Sequence, residues 1–264
     1  MVRCLRMLAV LLLGIAASLA GVSATAAAPA KAAPAAAQDS HQLDVFTVEK
    51  TAKGGLKTTL YTPAPGVSPE QVAAKLSASG VPGVQVGDAS AVGASGDVST
   101  LAACSYGTAR TWGCPMKRWS YSGHSHPQIY FLDHSGDGWP LSDAVPVWNE
   151  TEGIDSWYRW YTGGCPGSSY HCVNVYSGNY GGTGWVGQTS RTLNADGTYI
   201  TGASIKFNDY YSGTYTRNRN TACHEAGHVL GLDHNTSTSS CLYYSSGTAT
   251  RPLGDDFNLL ETYY

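Results

Sequence analysis

The stretch His224 to His234, which reads H-E-A-G-H-V-L-G-L-D-H, constrains this chain more than any other. His224 and His228 are four positions apart, so on an α-helix both imidazoles lie on one face, one turn apart. Glu225 stands beside the first imidazole and can reach a water held on a shared metal ion. Gly231 lacks a Cβ and can take the positive φ that ends a helix. The chain can then turn and bring His234 back as a third ligand. Three nitrogens fit zinc and leave a fourth position for water, the arrangement of a catalytic rather than a structural site.

The five positions His224, Glu225, His228, Gly231 and His234 match the extended signature of the metzincin metalloproteases. The segment from about Gln128 to Tyr264, about half of the chain, resembles a small bacterial metzincin of the matrixin type. The resemblance implies an α+β fold. A twisted mixed sheet of about five strands would carry an active-site helix, one further long helix and a C-terminal helix. Its strands fall at Gln128–Leu132, Trp157–Tyr161, Cys172–Tyr176, Trp185–Thr189 and Ile200–Asn208, and its further long helix at Leu141–Glu150, where Pro146 restricts the start. The stretch from Asp255 to Tyr264 has apolar residues at helical spacing. In the family, the strand at Trp185–Thr189 is an edge that pairs with the substrate backbone.

The resemblance further implies a zinc-dependent endopeptidase, with one catalytic Zn2+ and a protein or peptide as substrate. His224, His228 and His234 would hold the metal, and Glu225 would act as general base on the attacking water. Counting from His234, the family's Met-turn methionine aligns with Leu242, a departure that keeps an apolar floor. Tyr244, two residues on, matches the place where astacin-like members carry a tyrosine that bonds the reacting carbonyl; a core aromatic is the competing reading. The pocket beside the cleaved bond would depend on the loop Ser245–Arg251.

The rest of the chain gives the context. Arg3 and Arg6 precede an apolar run, Met7–Val22, and Ala24-Thr25-Ala26 offers a cleavage site, so residues 1–26 read as a secretory signal peptide. Removing the two arginines takes the formal charge from -3 to -5. No other stretch is apolar for long enough to span a membrane. Charged residues are 13% of the chain and form no basic cluster, which argues against a nucleic-acid partner. A secreted, extracellular monomer is expected.

Without Cys4, six cysteines remain, an even number that suits an oxidising compartment. Neighbour pairing (Cys104/Cys114, Cys165/Cys172, Cys223/Cys241) is the simplest of 15 connectivities, since each pair brackets a short loop. The family places Cys223 and Cys241 near each other beneath the metal; the competing partner for Cys241 is Cys172. Cys114 is the one candidate for a matrixin-like cysteine switch, but the switch motif does not surround it and Cys104 would be left unpaired.

Residues 27–103 read as a propeptide or an attached accessory region, and 104–264 as the catalytic domain. Within the former, Ala27–Ala37 is an Ala/Pro-rich linker. Residues 38–88 suggest a ββαβ unit: two strands across Leu43–Tyr61, a helix opened by Ser68, Pro69 and Gln71, and a strand near Val81–Val86. The unit has no cysteine and no cluster of titratable groups. The Gly/Ala/Ser-rich stretch Ala89–Ser99 follows, and a mature N-terminus between Ala89 and Gln128 is expected. His124, His126 and His134 with Asp133 and Asp137 suggest a second metal site, and D-H-S-G-D-G hints at Ca2+. That loop lacks the EF-hand's bidentate glutamate, so solvated loop residues are the default. A rival class is an inactive secreted binding module. It would combine a structural zinc site with an aromatic surface of Trp157, Trp160, Tyr161, Tyr180 and Trp185.

Overall fold

A computed structural model describes residues 43–92, 96 and 103–264. The signal-like segment, the Ala/Pro-rich linker and most of the Gly/Ala/Ser-rich stretch lie outside the described residues. The described chain is α+β. The elements in order are β1 (Asp44–Lys50), β2 (Leu56–Pro63), α1 (Pro69–Ala78), β3 (Gln85–Gly87), β4 (Ser105–Tyr106), β5 (Ala109–Arg110), β6 (Arg118–Trp119), β7 (Gln128–His134), α2 (Leu141–Ala144), β8 (Asp155–Trp160), β9 (His171–Gly178), β10 (Trp185–Leu193), β11 (Tyr199–Asn208), α3 (Tyr215–Val229) and α4 (Gly254–Tyr263).

One large mixed sheet runs in the order β3-β1-β2-β10-β11-β9-β7-β8, and β6 pairs with β11. The strands expected in the C-terminal half are all present and contiguous, as β10-β11-β9-β7-β8. Among these five, β10 is the antiparallel member and the other four are parallel. The sheet is larger than the five strands expected because the N-terminal strands join it. Strand β2 pairs antiparallel with β10 over seven residue pairs, from Trp185↔Pro63 to Thr192↔Lys57. Strand β10 is therefore interior, not an edge. Its residues are small and polar on one face, and the buried hydroxyls of Thr59 and Ser190 meet at 2.8 Å across the ladder. A local alternation of residues cannot distinguish such a strand from an edge, because the partner is more than a hundred residues away.

The N-terminal ββαβ order is as expected, with β3 short. Helix α1 starts on a capping box: Ser68 accepts from the Gln71 backbone, and the Gln71 side chain accepts from Ser68 N at 2.9 Å. The long helix expected at Leu141–Glu150 is not continuous. It breaks into α2, of four residues, and a 3-10 turn over Pro146–Glu150. Pro146 has no N–H to continue the α-helical ladder, and Trp148 N bonds Val145 O instead at 3.2 Å.

The main core lies between the sheet and helices α3 and α4. Ile129, Phe131, Val173, Ile205 and Phe207 from the strands meet Ala222, Ala226 and Val229 from α3, with Trp119 and Trp148 filling the ends. Thr214 caps α3 by accepting from Arg217 N. The helix ends in a Schellman turn. Gly231, at φ +102°, donates from N to His228 O, and Leu232 N donates to Gly227 O, both at 3.1 Å. A Cβ on Gly231 would lie 2.5 Å from Lys117 O, so both the φ and the space require glycine here.

Candidate metal centre

Helix α3 carries His224 and His228 on its buried face, and the Schellman turn returns His234 to them. The ligand atoms of the three histidines all lie within 4.8 Å of one another, and all three side chains are buried. Each of the first two rings is oriented by a main-chain carbonyl. His224 Nδ1 lies 2.9 Å from Cys241 O, and His228 Nδ1 lies 3.0 Å from Leu232 O. A carbonyl only accepts, so each Nδ1 must carry the proton and each Nε2 must present a lone pair. Those two Nε2 atoms are 2.9 Å apart. Two bare lone pairs at this distance repel unless a cation lies against them. Burial and the neighbouring charge of His234 hold His224 at about 3, and burial holds His228 well below the usual imidazole range. Both are neutral, which is the ligand form.

His234 completes the set. Its Nδ1 lies 2.9 Å from Asp44 Oδ1, an ion-pair distance without hydrogen-bond alignment, and its buried Nε2 has no hydrogen-bond partner. Burial depresses this ring, but Asp44 and Asp233 outweigh it and raise the group above its ordinary value. Three oriented imidazoles with an orphaned nitrogen fit a metal ion. The His224, His228 and His234 group could hold one.

Glu225 is fully buried, and both its oxygens are occupied. Oε1 accepts from Thr62 Oγ1 and Oε2 from Thr189 Oγ1, each at 2.5 Å. Burial pushes its carboxyl up to about 7, against the two hydroxyl donors. A Cβ on Gly187 would meet Glu225 Oε1 at 2.2 Å, so the carboxylate lies directly on the β10 backbone. Leu242 is fully buried beneath α3. A Cβ on Gly227 would lie 2.8 Å from Leu242 and 2.7 Å from Trp148, so the helix rests on both. Tyr244 is half-buried, with its ring edge-on to Tyr243 and the centroids 4.5 Å apart.

The three neighbour disulfides are present: Cys104–Cys114, Cys165–Cys172 and Cys223–Cys241. The last ties the start of the metal-binding turn of α3 to the residue before Leu242. Three bridges fit an oxidising compartment. Among the described residues, no helix is long and apolar enough to cross a membrane.

The other candidates are not brought together. Among the described residues, the clusters with ligand spacing are His224/His228/His234 and Asp44/Asp233/His234. Neither includes His124, His126, His134, Asp133 or Asp137. His134 is stacked between Tyr161 and Tyr176, and Asp133 accepts from the N and Oγ of Ser135 within its own turn. Of the aromatics, Trp157, Trp160, Tyr161 and Tyr180 are exposed, but Trp185 is buried between Tyr61 and Tyr180.

Sequence reasoning missed four site residues. The upstream unit does supply site contacts, through Asp44 and Thr62. Asp44 had a signal: in β1 it shares a face with Phe46 and Val48, and an acid on an apolar stripe calls for a partner. Thr62 and Thr189 carried none. Arg191 is buried over the Trp112 ring at 3.9 Å and donates to His228 O at 3.2 Å; burial lowers it to about 9. Compared with known proteins, the chain matches no protein-family model, and none of the curated proteins is a significant match.

Proposed function

We propose that this chain is a secreted zinc endopeptidase, similar to the matrixin-type metzincins, with residues 104–264 as its catalytic part. One observation carries the reading: three buried imidazoles converge on one point with their outer nitrogens engaged, and the carboxylate of Glu225 lies beside them. A purely structural metal site has no use for that carboxylate. The signal-like N-terminus and the three disulfides support secretion.

His224, His228 and His234 would hold the ion. Bound zinc supplies Lewis acidity toward a peptide carbonyl and makes water more acidic. Glu225 takes the proton of the attacking water at an Oε atom and delivers it to the leaving amine as the C–N bond breaks. Thr189 Oγ1 keeps that carboxylate oriented through its bond to Oε2. Leu242 supports α3 from below in place of a methionine. Tyr244 is the candidate donor to the oxygen of the attacked carbonyl.

The test is digestion of a denatured protein by purified secreted material, read by mass spectrometry, with the metal content measured in parallel. Cleavage that stops with a zinc chelator and returns with zinc is expected. Full cleavage by a Glu225→Ala chain would refute the role given to Glu225. Cleavage by a metal-free chain would refute the metal's role.

A further inference from the structure

Strands β1 and β2 lie where a peptide would have to lie. Gly187 and Thr189 of β10 both touch Glu225. A peptide that added itself to that side of β10 would run past the carboxylate, with main-chain bonds supplying the affinity. That side is taken. Strand β2 forms the ladder there, and Thr62, opposite Gly187, puts its hydroxyl on Glu225 Oε1. On the far side, Ser246 Oγ donates to Pro63 O at 3.1 Å, so β2 is held between β10 and the segment that follows Leu242. Strand β1 adds Asp44 against His234. As a result Glu225 and His228 are 0% exposed, His224 is 2% and His234 is 7%, which leaves no path for a substrate.

The contacts differ from those of a group that replaces a metal ligand. Asp44 meets the Nδ1 of His234, and Thr62 meets the base. Neither takes the place of an imidazole. We propose that β1 and β2 are a built-in inhibitor that docks as an extra strand on β10, fills the peptide's place and caps Glu225 through Thr62, while the three metal ligands stay in position. This rests on the endopeptidase reading above. Its consequence is a latent chain that is fully metal-loaded and closed.

The test uses the full, uncut chain loaded with cobalt, with acetohydroxamate binding followed by visible absorption and casein hydrolysis measured beside it. The natural chain should hold one cobalt, give no spectral change with the probe and leave casein intact. Thr58→Pro removes a ladder donor in the middle of β2. It should keep its cobalt, bind the probe and raise hydrolysis at least tenfold. Thr62→Val keeps the branched shape and loses one hydrogen bond to a carboxylate, so it should raise both readouts roughly tenfold. If the variants admit the probe but cut nothing, the inhibitory docking stands and the endopeptidase reading fails. If the natural uncut chain binds the probe as tightly as the variants, the proposal is overturned. It is also overturned if undocking β2 releases the cobalt, since the strands would then be part of the metal site. Should Thr58→Pro not fold, an unchanged Thr62→Val chain overturns it alone.

Discussion

Replacing both Cys223 and Cys241 by Ala should lower stability and metal affinity by separable amounts. The bridge joins positions 18 apart, and the loop it closes contains His224, His228 and His234. Closing a loop of that length removes about 11 cal/mol/K from the unfolded chain, or about 3 kcal/mol at 25 °C. Both sulfurs are buried, and the space they leave costs on the order of 1 kcal/mol more. In a domain of this size, ~4 kcal/mol corresponds to a drop in Tm of roughly 8–16 °C. Metal affinity falls for another reason. Cys241 O orients His224 through Nδ1 at 2.9 Å, and the bridge holds that carbonyl against the helix. Loosening such an outer partner costs roughly tenfold in affinity. Urea unfolding of the metal-free chain measures the first effect, and zinc titration against a competing chelator measures the second. A metal-free variant within about 0.5 kcal/mol of the natural chain would refute the loop-closure argument. Unchanged zinc affinity would refute the claim that the bridge positions His224.

Four further outcomes follow from the same geometry. Glu225→Ala should keep the zinc and lose ~10²–10⁴ of turnover, checked by metal analysis beside a peptide assay. Removing the metal should lower Tm, and added zinc should restore it in a concentration-dependent way, as for any ligand that binds only the folded state; a Tm indifferent to zinc would sink the site. Gly231→Ala should destabilise by more than about 1 kcal/mol in urea unfolding, because the new methyl meets Lys117 O at an unfavourable φ. Asp256→Ala should lower Tm through the loss of the buried bonds from Asn235 Nδ2, Ser240 Oγ and Leu253 N at 2.7–2.8 Å, which join α4 to the turn carrying Leu242.

The metal set was legible because it is local. His224, Glu225, His228, Gly231 and His234 span eleven residues, and helix geometry with one positive-φ glycine is enough to converge them. The C-terminal strands were legible through their alternation, and the cysteine pairs through their short spacings. The continuous helix at Leu141–Glu150 was misread, since apolar spacing was weighed over the missing N–H of Pro146.

What the sequence by itself determined, then, is what depends on neighbours along the chain: the ligand turn, the strand and helix segments and the three bridges. Tertiary structure alone decided what surrounds Glu225. Thr62 is 163 positions away from it and Thr189 is 36. Asp44 reaches His234 from the first strand, and β2 turns a presumed edge into an interior strand. Threonines and a strand register carry no local mark of their partner. Which groups meet is fixed only when the sheet closes and the burial of all its strands is satisfied together.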